Sequence, residues 1–161
     1  MSRDHVVPIA IPTPFPVGPV NAFLLKSDPV TLVDAGLNTD EAFDTLKAAF
    51  AREGLALGNL KAVLLTHTHI DHVGLLGRLR HHADFTIYAH PGTTHHRLNS
   101  EDNQEEARRF GLRIMREFGA PEEIIQEAAN EQHSYREYAT DAAIDEGVED
   151  GQRLGLSLIH I

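Results

Sequence analysis

In the phrase Thr66-His67-Thr68-His69-Ile70-Asp71-His72, four side chains of metal-ligand type fall within six positions. His67 and His69 lie two apart and follow the apolar run Lys61-Ala62-Val63-Leu64-Leu65. A strand that runs into a loop in this way can aim both imidazoles at one point. That supplies two nitrogen ligands for a borderline metal such as zinc, with Zn–N distances of about 2.0–2.1 Å. Asp71 and His72 are offset by one and turn the other way, which allows a second site with one oxygen and one nitrogen ligand. Two metals roughly 3.5–4 Å apart can activate one water between them and polarise the carbonyl or phosphoryl under attack. Gly74, just past the cluster, fits a close approach of backbone to the site. The bland alternative is a solvated histidine-rich loop, and it leaves unexplained why four such residues follow directly on a strand of buried type. The spacing predicts that the His67 and His69 rings face a common point, with Asp71 and His72 turned to the same cleft.

The elements that must position this cluster read as an α/β layered domain. Its 161 residues suit one domain, and 42% hydrophobic with 24% charged residues is an ordinary globular mixture. Strands are predicted at Val6–Ala10, Asn21–Leu25 and Val30–Asp34, the first punctuated by prolines and therefore at an edge or broken. Asp34-Ala35-Gly36 closes the third with turn chemistry. Thr39 or Asp40 can cap a helix carrying Phe43, Leu46, Ala49 and Phe50 at helical spacing, and Gly54 ends it. A helix is predicted from Val73 to Arg80, and a strand at Phe85–Ala89. Alternating strands and helices point to a layered α/β core.

From about Ser100 to Thr140 the character changes to an acidic helical insertion. Ala107, Phe110, Gly111, Ile114 and Phe118 trace one helical face, so Phe110, Ile114 and Phe118 are predicted to be buried against the sandwich or the neighbouring helix around Ile124 and Ile125, with Arg109 and Glu117 exposed. Pro121 fits the first turn of that second helix. Ala143 to Leu156 returns to a strand-like phrase around the Asp150-Gly151 turn. Among the other histidines, His90 can line the cleft. His81, His82, His95, His96 and His133 read as surface or helix-face residues, and His5 carries no site argument.

Composition excludes several classes. With no cysteine there is neither disulfide, zinc-thiolate site nor thiol nucleophile. The 24 acidic residues against 14 basic give a net charge of −10, and 15 acidic against 6 basic lie from Glu101 onward. Such a field repels nucleic-acid phosphates. No apolar run approaches the roughly 20 residues of a membrane span, and Met1 to Pro16 lack the apolar core of a signal peptide. The expected partner is a small-molecule substrate, with no nucleic acid and no membrane, in a cytoplasmic protein; no motif specifies an oligomeric state.

The stretch Thr66-His67-Thr68-His69-Ile70-Asp71-His72-Val73-Gly74 resembles the signature of the metallo-β-lactamase superfamily, the HxHxDH hydrolases. Thr31-Leu32-Val33-Asp34-Ala35-Gly36 resembles the strand end found upstream of it in that family. The likeness extends as far as His90, and the helical insertion is compatible with glyoxalase-II-like branches. The resemblance implies an α/β (α+β) fold, half of a four-layered αβ/βα sandwich with a helical insertion. It implies His67 and His69 as ligands of a first metal and Asp71 and His72 as ligands of a second. Asp71 would be catalytic, orienting the attacking water and receiving its proton, while Asp34 would hold the motif loop by hydrogen bonds from behind the ligands. The cofactor implied is one or two Zn2+, with iron or manganese as alternatives. The implied reaction is hydrolysis of an ester, thioester or lactam of a small metabolite, a glyoxalase-like thioesterase being one such enzyme. An iron-dependent oxidative member of the superfamily and a non-catalytic binding module that keeps the fold are the alternatives.

The departures are equally specific. The family draws a third histidine for the first metal from a downstream Pro-Gly-His phrase, then a bridging aspartate and a last histidine; no Pro-Gly-His occurs in this chain. Residues 1–155 therefore read as a partial domain, with the insertion at about 100–140, expected to be inactive and metal-poor by itself. Residues 156–161, Leu-Ser-Leu-Ile-His-Ile, match the translation of a transposon-end adaptor used in sequencing libraries and read as a non-native tail. A half-buried strand carrying Leu154, Leu156 and Leu158 is the competing reading.

Overall fold

The computed structural model describes residues 5–16, 18–92, 97–98 and 101–154. In chain order the elements are β1 (Val6–Ile11), β2 (Val20–Leu25), β3 (Val30–Val33), α1 (Asp40–Arg52), β4 (Leu60–Leu64), α2 (Ile70–Val73), α3 (Leu76–Arg80), β5 (Thr86–Ala89), β6 (Arg97–Leu98), α4 (Glu101–Glu117), α5 (Glu122–Ser134), β7 (Ala142–Ala143) and β8 (Glu146–Gly147). One sheet runs in the order β1-β2-β3-β4-β5-β8. Its first three strands are antiparallel and the remainder, from β3 onward, parallel. β1 is an unbroken edge strand with β2 as its one neighbour, a position that tolerates the missing amide of Pro8.

The two faces of the sheet differ. Val7, Leu24, Leu32, Val63 and Ile87 stand side by side across five strands, and the last four are fully buried. Phe43, Leu46 and Phe50 of α1 and Leu75, Leu76 and Leu79 close the core over this face. The next row, Pro8, Phe23, Val33, Leu64 and Tyr88, faces the other way; Phe23 is 38% exposed and none of the five is buried.

Local chemistry explains the helices. Thr39 caps α1 by accepting the Ala42 amide at 3.1 Å, Asp40 and Glu41 fill its first turn, and Gly54, at φ +73, turns the chain out of it. The helix expected over Val73–Arg80 is instead two short ones, α2 and α3, broken at Gly74-Leu75. The break arises because Leu75 N–H bonds to Gly36 and Gly74 C=O to Thr140, so tertiary partners replace the continuing ladder.

The insertion holds α4 and α5 and is framed by the antiparallel β6–β7 pair, Leu98 opposite Ala142. Its expected phase is corrected by the structure. Phe110 is 57% and Phe118 85% exposed, Ile114 is half-buried, and Leu112 and Ile125 are the buried residues among the described side chains of the two helices. Arg109 and Glu117 are exposed as expected. Arg108, Leu112 and Met115 share a helical side, so turning that side inward leaves the Phe110–Phe118 stripe out. The burial of Ala107 lies outside the described residues. The strand-like phrase after Ala143 is extended only at β8, and Asp150-Gly151 forms the predicted turn with Gly151 at φ +75. The tail, residues 156–161, and the competing strand beyond Leu154 lie outside the described residues, as do His95 and His96 and the side chain of His133.

Candidate metal centre

The motif sits where the parallel strands end, the edge of an α/β sheet at which ligand sites collect. β4 delivers Thr66, His67 and His69 into the loop, and α2 carries Asp71 and His72. The His67 ring centroid lies 4.6 Å from that of His69 and 4.1 Å from that of His72. Asp71 Oδ2 lies 3.6 Å from His72 Nε2. His67, His69, Asp71 and His72 are thus gathered at one strand end. His90, at the end of β5, is exposed and accepts the Gly92 amide on Nδ1 at 2.9 Å; His81 and His82 are exposed.

Asp34 organises this loop. It ends β3 at φ +58, a left-handed conformation that aspartate tolerates better than most side chains, and it is 4% exposed. Its Oδ1 accepts the Thr66 amide at 2.9 Å, and its Oδ2 accepts the Thr66 hydroxyl at 2.7 Å. The same Oδ2 lies 2.9 Å from His72 Nδ1, and an ionised carboxylate can only accept, so His72 carries its proton on Nδ1. Thr66 spends its single proton on Asp34, so at 3.0 Å its oxygen accepts from His67 Nδ1–H. Both rings are held in the tautomer that turns a bare Nε2 away from the support. Desolvation, and then the neighbouring His72 and His69 rings, lower the His67 pKa below the usual imidazole value, opposed by Asp34 and Asp71. The neutral form needed for ligation is thereby favoured.

Thr66 is the residue that sequence reasoning gave no role. Its signal was position: a hydroxyl at the strand end, immediately before the first histidine.

The donor set, a carboxylate and three imidazoles of which His67 and His72 have their tautomers fixed from behind, fits a zinc-type ion in chemistry. Among the described residues, however, no group of three or more His, Asp or Glu side chains is arranged to hold a metal ion. The cluster is assembled but not closed.

An α/β sheet with histidines and an aspartate at its carboxyl edge defines a candidate metalloprotein, and comparison with known proteins gives its family. Residues 15–159 match the model of the metallo-beta-lactamase superfamily, and the chain belongs to that superfamily. It is 34% identical over 121 residues to the probable metallo-hydrolase YqjP of Bacillus subtilis, covering 75% of this chain and 37% of that protein. It is 38% identical over 73 residues to the probable metallo-hydrolase YybB of the same organism, covering 45% of this chain and 30% of YybB. Among solved structures it superposes on the metallo-beta-lactamase family protein TTHA1429 of Thermus thermophilus with a TM-score of 0.70 and 27% identity, over 94% of this chain and 48% of that one. The chain thus spans less than half the length of each of these relatives. No helix among the described residues is long and apolar enough to cross a membrane.

Proposed function

We propose that this chain carries the metal-binding loop of a metal-dependent hydrolase that cleaves an ester, thioester or lactam of a small metabolite. One observation carries the reading: a single buried carboxylate, Asp34, fixes the tautomers of His67 and His72, directly and through Thr66, so that both present Nε2 beside His69 and Asp71. His67 and His69 would hold one ion and Asp71 and His72 a second, zinc being the metal that best suits this donor set. A bound divalent ion supplies Lewis acidity, lowering the pKa of water and polarising the scissile carbonyl. Asp71, one-quarter exposed and 3.6 Å from His72 Nε2, would orient the attacking water and take up its proton. Asp34 and Thr66 do no chemistry; they fix the tautomers of His67 and His72 and keep the two rings aimed.

Support comes also from the names of the relatives, which are called probable metallo-hydrolases. The test has two arms. Calorimetric titration of the 161-residue chain with zinc is expected to show weak binding, in keeping with a site that is not closed, that His67→Ala, His69→Ala and His72→Ala each weaken further by about tenfold or more. Binding indifferent to all three overturns the metal assignment. In the protein in which this chain sits, Asp71→Asn is expected to lower kcat for a thioester or lactam by about 100-fold or more. Native iron together with oxygen consumption in place of hydrolysis would overturn the hydrolytic reading.

A further inference from the structure

The helix that carries Asp71 and His72 has four residues, too few to be stable by itself, so other parts of the chain must set its direction. On one side the turn after β3 does so: Ala35 N–H donates to His72 C=O at 2.8 Å and Leu75 N–H donates to Gly36 C=O at 3.0 Å. On the other side lies the segment through which the chain leaves the helical insertion. Tyr138 C=O accepts the Asn38 amide at 2.9 Å. Thr140 N–H donates to Gly74 C=O at 3.0 Å, and its hydroxyl donates to the same carbonyl while accepting Gly77 N–H at 2.9 Å. Thr140 thus joins the last carbonyl region of α2 to the first turn of α3, the helix ends where backbone groups need outside partners.

Both glycines are spaced for this segment. A Cβ on Gly74 would strike Tyr138 O and lie 2.9 Å from Asn38 N, and one on Gly77 would lie 2.6 Å from Asp141 O and 2.8 Å from Thr140 Cβ. Backbone can approach the motif helix here because neither position has a side chain.

We infer that Thr140 is a positioning residue for His72: its hydroxyl locks the α2–α3 break and so ties the orientation of the motif helix to the helical insertion. The consequence for metal binding rests on the function proposed above, whereas the consequence for the His72 ring does not. The first readout is therefore metal-free. The imidazole 15N shifts of His72 report which nitrogen holds the proton, and wild-type chain and Thr140→Ser should both show the Nδ1–H form bound to Asp34. Thr140→Val keeps the shape and the backbone amide but leaves Gly77 N–H without the hydroxyl, and should shift His72 toward a mixture of tautomers and speed exchange of the Gly77 amide. Should that variant fail to fold, Gly77→Ala displaces the same segment from the opposite side and is expected to give the same His72 signature. The second readout is cobalt(II) titration followed by its d–d absorption, with Thr140→Val about tenfold weaker than wild type and Thr140→Ser within about twofold. Asn59→Ala, which removes the partner of the Ala56 amide in the turn before β4, at the end of that strand opposite the motif, serves as the control and should leave both readouts unchanged. A Thr140→Val chain with wild-type His72 shifts overturns the inference, as does an Asn59→Ala chain that alters them equally. Absence of cobalt binding in the wild-type chain would instead count against the metal reading alone, with the His72 shifts still deciding the role of Thr140.

Discussion

At the scale of single residues the site depends on one carboxylate accepting three hydrogen bonds, two from Thr66 and one from His72. Asn at position 34 would keep the left-handed backbone, which it tolerates, and nearly the same volume. It would offer one carbonyl where two oxygens are needed and turn an amine toward a donor. Asp34→Asn is therefore expected to cost about 1–3 kcal/mol in denaturant unfolding and to weaken zinc binding about 10–100-fold in calorimetric titration. Thr66→Val should lose the relay to His67 while sparing His72, so His67 alone should change its ring tautomer in 15N spectra. If both substitutions leave both rings unchanged, Asp34 is only a turn residue. The ligand-type residues were legible because their types and spacing announce them. The geometry behind them was less so: nothing local says that a hydroxyl at the strand end would link a buried aspartate to the next histidine across 32 positions.

At the scale of elements, legibility followed length. Five strands of four to six residues, α1 and the two long helices could be read from period and punctuation. β6, β7 and β8, two residues each, carry no period to detect. The break in the helix after His72 was invisible because its causes, Gly36 and Thr140, are distant in sequence. In α4 the apolar residues permit two phases, and the one adopted buries Leu112 and leaves Phe110 and Phe118 exposed. Leu112→Ala and Ile125→Ala are accordingly expected to destabilise by about 2–5 kcal/mol, whereas Phe118→Ala, at an 85% exposed position, should stay within about 0.5 kcal/mol in the same denaturation assay. Comparable losses at Phe118 would restore the phase expected from the sequence. On the same helix Glu105 receives Arg108 and Arg109, which hold its carboxyl down at about 2 from the usual 4.5. A depressed folded-state value means that its contribution is present above about pH 4.5 and lost as pH falls through about 2, which a carbon-detected titration of the Glu105 carboxyl can follow.

At the scale of the whole molecule, the asymmetry of the sheet is the main physical fact. The row Leu24, Leu32, Val63, Ile87 is sealed by helices, while Phe23, Val33, Leu64 and Tyr88, one position along each strand, are left partly open. Because side chains alternate across a strand, the open row is as continuous as the buried one, with Phe23 its most exposed apolar member. It is the face on which a four-layered sandwich would set its second sheet, in keeping with a chain that spans 48% of the Thermus thermophilus structure. The 161-residue chain is therefore expected to bind a hydrophobic dye such as anilinonaphthalene sulfonate and to associate as its concentration rises. The double variant Phe23→Thr, Leu64→Thr keeps β-propensity, removes apolar area from the open face alone and should cut dye fluorescence several-fold, changing stability by no more than about 1 kcal/mol. Leu24→Thr, on the sealed face, buries a hydroxyl and loses packing, and should cost about 2–5 kcal/mol while leaving dye binding by the folded chain unaltered. Dye fluorescence read beside sedimentation velocity separates the two cases. If the double variant binds dye as strongly as the wild-type chain, the association surface lies elsewhere, and the exposed Phe110–Phe118 stripe of the insertion becomes the face to substitute next.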